Sequence, residues 1–453
     1  MRIVQLTPGT GNFYCGHCLR DNALALALRK RGHDVLMVPL YLPSVTDEPD
    51  AGAGTPIFFG GLNVYLDQKM PFFRLVPERL TRVLDSPSLL RAAAGSSSMT
   101  SADDLGELTV SMLRGEEGRQ VRELRKLIAW LKTQPKPEII CLSTALLSGL
   151  ARELKQQFNT PVVCTLQGED TFLDSLPERQ RAQSWKLLSE RAADIDVFIA
   201  VSAYFADVMG RRIGLAPGRL EVVHNGINLD GFEPAASPPA PPALGFLARM
   251  SKSKGLDTLV AAFIELRRRD RIPGLKLRIA GAMTPSDEVH FVNKLKGRLH
   301  AESLFSEAEW FPNIDRRQKQ EFLRTVSVLS VPATYGEAFG LYVLEALACG
   351  VPVVQPRHAA FPEIIEQTGG GVLCEPNDPS RLADALEALL LDPARAWQLG
   401  RQGRQAVREH FSVERMAGNV EDVLRAVAAR VEGDSGPDRR AQAALDARGH
   451  NKA

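Results

Sequence analysis

Val331–Pro356 reads VPATYGEAFGLYVLEALACGVPVVQP, and this stretch decides the fold. A β-branched run ends near Val331. A loop with Gly336 and Gly340 follows, then an apolar helical pattern from about Leu341 to Ala348, then a second β-branched run, GVPVV. Strand, loop, helix, strand is the repeating unit of a parallel sheet covered on both faces. Glu337 falls in the loop, at a strand's carboxyl end. Glu345 falls on the helix, eight residues later. The amides of Phe339 to Tyr342 are unpaired at the helix start, and the helix dipole adds about half a positive charge there. Gly340 lets the backbone come close to a ligand. An anion suits that helix start, whereas the carboxylates suit hydroxyls. A ligand carrying both a diphosphate and hydroxyls satisfies both features.

The same rhythm extends in both directions. Upstream, strands are expected at Ile3–Leu6, Val35–Leu40, Glu138–Leu142, Pro161–Leu166, Val197–Ser202 and Leu220–His224, with helices at Leu19–Arg31, Gln120–Lys132, Ala145–Gln157 and Pro177–Ala193. Nearer the opening stretch, strands are expected at Leu244–Ala248, Leu275–Ala280, Glu309–Pro312, Val326–Val331, Val351–Gln355 and Val372–Cys374. Helices are expected at Leu256–Arg269, Asp287–Leu299, Arg317–Thr325, Leu341–Ala348, Pro379–Leu390 and Pro393–His410, with a last one near Val413–Val431. Between the halves, residues 234–243 read PAASPPAPPA, with five prolines in ten, which suits an extended linker and no helix or central strand. The expected architecture is α/β: two doubly wound domains, 1–232 and 244–410, joined by a linker over 233–243. An insertion covers about 41–117, a helix over 411–431 crosses back, and a polar tail over 432–453 is disordered. Doubly wound sheets bind ligands beyond the carboxyl ends of their strands, so the ligand belongs in the cleft.

Composition bounds the function. The chain has 453 residues, enough for about three average domains or two large ones. Lys+Arg 55 against Asp+Glu 54 leaves a net charge of +1, which argues against a nucleic-acid binder held by bulk charge. The start has no signal-peptide pattern, and no run reaches the roughly 18 apolar residues of a spanning helix. Six cysteines are too sparse for a disulfide scaffold and suit a reducing cytoplasm.

The opening stretch resembles the E-x7-E signature of retaining glycosyltransferase family 4, with its E-x-F-G-L-x-x-L-E-A core. The resemblance implies a GT-B fold, two Rossmann-like domains with a nucleotide-sugar in the cleft. It implies that Glu337 holds the donor sugar, that the amides of Phe339, Gly340 and Leu341 meet sugar or phosphate oxygens, and that Glu345 binds the ribose hydroxyls. Phe246–Ala262, FLARMSKSKGLDTLVAA, is similar to the family's strand, loop and helix with Arg and Lys five residues apart. By that likeness Arg249 and Lys254 neutralise the donor diphosphate, where fixed cations stabilise the charge of a leaving group. Taken alone, the segment is a solvated basic loop. Val222–Asn228 and Asp196–Ser202 resemble family strands ahead of the linker. Trp310–Ile314 occupies the place of the loop that cradles the nucleobase, with Asn313 where the family usually has Gly. Val413–Val427 fits its last helix. The likeness covers about residues 1–430 and is weakest over 41–117.

The first loop and helix start, Thr7–Asp21, read TPGTGNFYCGHCLRD. This is the place of the family's Gly-rich loop near donor phosphate and acceptor, and Gly9, Gly11 and Gly16 permit tight turns. Cys15 and Cys18 admit two other readings, thiol redox chemistry and half a zinc site. Neither has a second cysteine pair to support it, and Cys141, Cys164, Cys349 and Cys374 fall in apolar patterns. Cys164–Asp170 reads CTLQGED, with Gln167 where the family commonly has a His near the reacting sugar. Gln hydrogen-bonds but carries no proton. Glu169 and Asp170 either bind hydroxyls or cap the next segment. Lys69–Arg91 is basic, with Phe72 and Phe73, and is either an insertion helix or a peripheral contact with the inner membrane face for a lipid-linked acceptor.

The expected function is that of a retaining hexosyltransferase of the EC 2.4 type. It moves a sugar from a UDP-, GDP- or ADP-sugar to a glycan, lipid-linked or small hydroxyl acceptor, with no metal and no other cofactor. The rivals are a nucleotide-sugar epimerase, a non-catalytic nucleotide-sugar binder made conceivable by Gln167, and a nicotinamide oxidoreductase. The last lacks a G-x-G-x-x-G after the first strand.

Overall fold

The computed structural model describes residues 1–9, 16–43, 46, 48–59, 102–283 and 287–434. Two parallel six-stranded sheets organise the chain. The first contains β1 (Arg2–Thr7), β2 (Asp34–Pro39), β3 (Ile139–Leu142), β4 (Val162–Leu166), β5 (Val197–Ala200) and β6 (Leu220–Val222), in the order β2-β1-β3-β4-β5-β6. The second contains β7 (Ala243–Leu247), β8 (Lys276–Gly281), β9 (Ala308–Pro312), β10 (Val328–Leu329), β11 (Val353–Pro356) and β12 (Gly371–Cys374), in the order β12-β11-β10-β7-β8-β9. Central strands are apolar throughout because helices cover both faces: β4 and β7 are buried at every position.

The strand orders locate the clefts. In the first sheet the chain steps outward from β1 to β2, then resumes on the other side at β3. In the second it steps from β7 through β9, then resumes beside β7 at β10. At each reversal the loops leaving the two neighbouring strands diverge and open a crevice. The second crevice therefore lies between the loops after β7 and β10, which carry Arg249, Lys254 and Glu337.

The helices are α1 (Gly16–Lys30), α2 (Ala102–Arg114), α3 (Val121–Leu131), α4 (Ala151–Phe158), α5 (Glu169–Ser175), α6 (Glu178–Arg191) and α7 (Ala203–Ile213) around the first sheet. Around the second are α8 (Leu256–Arg269), α9 (Asp287–Ala301), α10 (Arg316–Leu323), α11 (Leu341–Ala348), α12 (Phe361–Thr368), α13 (Pro379–Leu390) and α14 (Pro393–His410). Three differences from the sequence expectation stand out. The helix expected over 145–157 is a 3-10 turn, Ala145–Leu150, followed by α4. Gly149 explains the break, since a Cβ there would stand 2.0 Å from the Met112 carbonyl of α2. The strand expected over 326–331 shortens to Val328–Leu329. Helices α5, α7 and α12 were not anticipated. Residues 60–101, which hold most of the expected insertion and all of 69–91, lie outside the described residues, as do 435–453.

The last helix, α15 (Val413–Asp434), packs on the first domain. Val413, Met416, Ala417, Val420, Leu424 and Val427 form its buried stripe, against Ile3, Leu24, Leu28 and Val35. That three-and-four spacing is one face of a helix. Its entry is fixed by backbone: the Val413 amide donates to the Ile227 carbonyl at 2.9 Å. Its Glu421 meets Arg31 at 2.6 Å, and hydrogen bonds from Arg31 and Arg425 bring the carboxyl down to about 2. The linker runs over the amino ends of β7, β10 and β11. There Pro234, Pro238, Pro239 and Trp397 help line a small apolar cavity, at the opposite end of the sheet from Glu337.

Candidate active site

The loop after β10 and the start of α11 form one wall of the cleft. Gly340 holds φ 94° as the residue before α11. A Cβ there would stand 3.2 Å from the Phe361 ring and 3.4 Å from Tyr342, in a conformation that only Gly adopts readily. Phe339 is buried, its ring near those of His224 and Phe411, and so anchors the loop at the domain junction.

Glu337 is the centre of the arrangement. Its Oε2 pairs with Lys254 Nζ, and it accepts hydrogen bonds from the Tyr335 and Tyr342 hydroxyls, each at 2.9 Å. Lys254 also bonds the Tyr335 hydroxyl, and its ammonium stands 4.9 Å and 5.3 Å from the Tyr335 and Tyr342 ring centroids. Burial raises the Glu337 pKa, but the Lys254 charge and the lysine and tyrosine hydrogen bonds outweigh it, so the carboxyl lies below its usual range. Burial and the Glu337 charge push both phenols up, so they remain donors. Sequence reasoning had assigned Lys254 and Glu337, which do meet, but it missed both tyrosines.

The other assigned residues sit around this centre. Arg249, exposed on the loop after β7, pairs with Glu288 of α9. Glu345 pairs with Lys319 of α10 at 2.5 Å. Ile314 is half-buried just before α10. Asn313 adopts φ 56°, the left-handed region that Gly favours, and its side chain bonds the Met283 amide at 2.9 Å. It reproduces the turn expected of Gly and ties the loop after β9 to the loop after β8.

The first domain supplies the facing wall. Gly16, at the start of α1, opposes Leu341 at the start of α11: a Cβ on Gly16 would lie 3.5 Å from the Leu341 side chain. Gly9 has a packing role, since a Cβ there would stand 1.7 Å from the Leu42 carbonyl oxygen. Gly11 and Cys15 lie outside the described residues, while Cys18 is buried. Burial pushes Cys141 and Cys349 up to about 12 and Cys374 to about 11, so these three stay thiols at neutral pH.

Gln167 turns inward. Its Nε2 donates to the Ser143 carbonyl at 2.6 Å and to Asp21 Oδ1 at 3.2 Å. Asp21 in turn accepts from Arg20 at 3.0 Å, and Arg20 donates to Asn225 at 3.1 Å. This buried network joins the loops after β3, β4 and β6 to α1. Glu169 ties the same region, accepting from Thr144 and from the amides of Ala145, Gln167 and Gly168.

Among the described residues, hydrogen bonds join the two walls. Ser202 Oγ donates to the Ala338 carbonyl at 2.7 Å. Glu363 of α12 accepts from the Ala203 and Tyr204 amides at 2.9 and 3.2 Å, which caps α7 from the other domain. Glu363 also meets His224 at 2.5 Å. Neither Glu363 nor His224 was singled out from sequence. Among the described residues, no three His, Cys, Asp or Glu side chains are grouped to hold a metal ion, and no helix is long and apolar enough to cross a membrane.

Known proteins resemble this chain over both domains. Residues 105–230 match the family Glycosyltransferase Family 4, and residues 231–406 match Glycosyl transferases group 1. Over 346 residues the chain is 25% identical to a glycogen synthase of Mycobacterium tuberculosis, covering 74% of this chain and 79% of that one. Among solved structures, sucrose-phosphate synthase from Thermosynechococcus elongatus superposes with a TM-score of 0.69 at 21% identity, covering 95% of this chain and 99% of the other. HepE of Anabaena, crystallised with UDP and glucose, superposes with a TM-score of 0.65 at 14% identity, covering 93% and 99%. These structures share the two-domain GT-B fold.

Proposed function

We infer, from the premise that this chain is a glycosyltransferase of the GT-B fold, that it moves a sugar from a nucleotide-diphosphate sugar to a hydroxyl acceptor with retention of configuration. The observation that carries this reading is the Lys254–Glu337 pair at the mouth of the second sheet's crevice, beside the free amides at the start of α11. A cation, a carboxylate and a helix start within one loop pair offer partners for a diphosphate and for sugar hydroxyls together.

Without donor, Lys254 and Glu337 neutralise each other. A bound diphosphate draws Lys254 towards itself, and the two tyrosine hydroxyls remain on Glu337 as it turns to a sugar hydroxyl. Arg249 exchanges Glu288 for the diphosphate in the same way. Glu345 and Lys319 meet the ribose, and Ile314 lies against the base. As the sugar–phosphate bond breaks, negative charge grows on the leaving diphosphate, where Arg249, Lys254 and the α11 amides stabilise it. No metal ion is needed for that role. The acceptor oxygen attacks on the face the diphosphate leaves, and the diphosphate oxygen takes its proton, so retention needs no separate base. Gln167 takes no proton in this scheme; it sets the buried network that shapes the facing wall.

The test is a thermal-shift panel of UDP-, GDP- and ADP-sugars, followed by proton NMR of the product from the best donor. A donor-dependent rise in melting temperature and a product with the donor's anomeric configuration are expected. Inverted configuration, or conversion of the donor sugar to its epimer without an acceptor, contradicts the reading.

A further inference from the structure

The loop after β4 carries two adjacent acids, and they have opposite surroundings. Glu169 is buried and saturated. Its carboxylate accepts from Thr144 Oγ1 at 2.8 Å and from the amides of Ala145, Gln167 and Gly168 at 3.0, 2.9 and 3.1 Å. It fastens the loop after β4 to the loop after β3. Asp170 is far less satisfied: the Thr171 amide bonds its carboxyl, but its Oδ1 is shielded from solvent and has no hydrogen-bond partner.

Asp170 follows Gly168 in the first turn of α5, beside the cleft. A Cβ on Gly168, two residues earlier, would lie 3.6 Å from Ala338 of the opposite wall. The Tyr204 hydroxyl lies against Gly336 on that same wall. The Asp170 charge is felt by Tyr204 on its own side and by Tyr335 across the cleft. The remaining charged groups around it are Glu169 and Asp174, both acidic, and Arg212. Arg212 is already committed to Asp174 through two bonds of 2.7 Å. Burial raises the Asp170 pKa.

A shielded carboxylate oxygen without a donor is costly, and a fold keeps one where a ligand supplies the donor. The donor must be a hydroxyl or ammonium hydrogen, because a phosphate or carboxylate would be repelled. On the transferase reading, which this inference rests on, the missing partner is the acceptor. We propose that Asp170 binds a hydroxyl of an uncharged polyol acceptor and holds it opposite the Lys254–Glu337 site, while Glu169 only builds the loop.

The experiment compares full-length wild type with Asp170→Asn and Asp170→Ala. The probes are glycerol, myo-inositol, glucose and sucrose, with the donor that gives the largest thermal shift. The expected result is a fall of about tenfold or more in kcat/KM for the polyol, carried mainly by KM and larger for Ala, with the donor Kd kept within about twofold. Unliganded Asp170→Asn should melt no lower than wild type, because it removes an uncompensated buried charge. Unchanged kcat/KM for every polyol overturns the proposal. So does a lower melting temperature with weakened donor binding, which would make the carboxylate structural. A wild type that hydrolyses the donor but glycosylates none of the four polyols overturns the acceptor class. A wild type that binds no nucleotide-sugar contradicts the transferase reading instead, and the melting comparison still judges Asp170.

Discussion

Glu337 shows how one buried charge is held ready for a ligand. Three donors converge on one carboxylate oxygen, and two of them are tyrosine hydroxyls, which on the proposed reading stay in place when Lys254 turns to a phosphate. Removing one should therefore cost stability and function together. Tyr342→Phe should lower the unfolding free energy by about 1–2 kcal/mol, since it deletes a hydrogen bond to a buried charged group. It should also move the Glu337 pKa upward. Denaturant unfolding checks the first effect. The second appears as weaker discrimination between the nucleotide-sugar and the free nucleotide diphosphate, since on the proposed reading Glu337 meets only the sugar. Equal loss of affinity for both would place Tyr342 on the phosphate instead. Asn313 carries a related lesson: a side chain stands where a family glycine was expected, yet it takes the glycine's backbone angle and adds a bond to Met283.

Glu363 links helices α7 and α12 across the two domains. Glu363 of α12 caps α7 and grips His224. Burial raises its pKa, but the His224 bond and the two amides lower it further, so the carboxyl lies below its usual range. A depressed carboxyl contributes stability that is present above its unfolded value, about 4.3, and is lost as pH falls through the lower folded value. Wild type should therefore lose interdomain protection in acid, and Glu363→Gln should flatten that part of the profile. Proteolysis of the Pro-rich linker against pH, from 7 down to 3, measures it; identical profiles would remove Glu363 from the contact. Which helices were legible follows from such caps. The starts of α13 and α14 were readable because Asp378-Pro379 and Asp392-Pro393 set them, and both aspartates cap in the structure. Helix α7 was missed because Ser202 was read as a strand end. Its side chain accepts from the Phe205 amide at 3.0 Å, and a Ser before an apolar run was the available signal.

Across the whole chain, periodicity made the two sheets legible, and the strand reversals then located the cleft. The Lys254–Glu337 pair was legible through the family resemblance of its two loops, each of which follows a strand bordering one crevice. Their company was not. The tyrosines meet Lys254 only through a fold that brings together positions some 80 residues apart, and no local pattern records that approach. The facing wall was least legible, since Gln167, the adjacent Arg20 and Asp21, and Asn225 come from three separate segments. Helix α15 adds a further constraint by packing residues 413–427 onto the first domain's core. The account as a whole depends on Lys254 meeting the diphosphate. It is tested most directly by the rate of nucleotide-diphosphate release from the best donor, in wild type and Lys254→Ala. A loss of about a hundredfold or more is predicted for the variant, the scale of removing a principal stabiliser of developing charge. A folded Lys254→Ala protein releasing nucleotide at the wild-type rate would contradict the account.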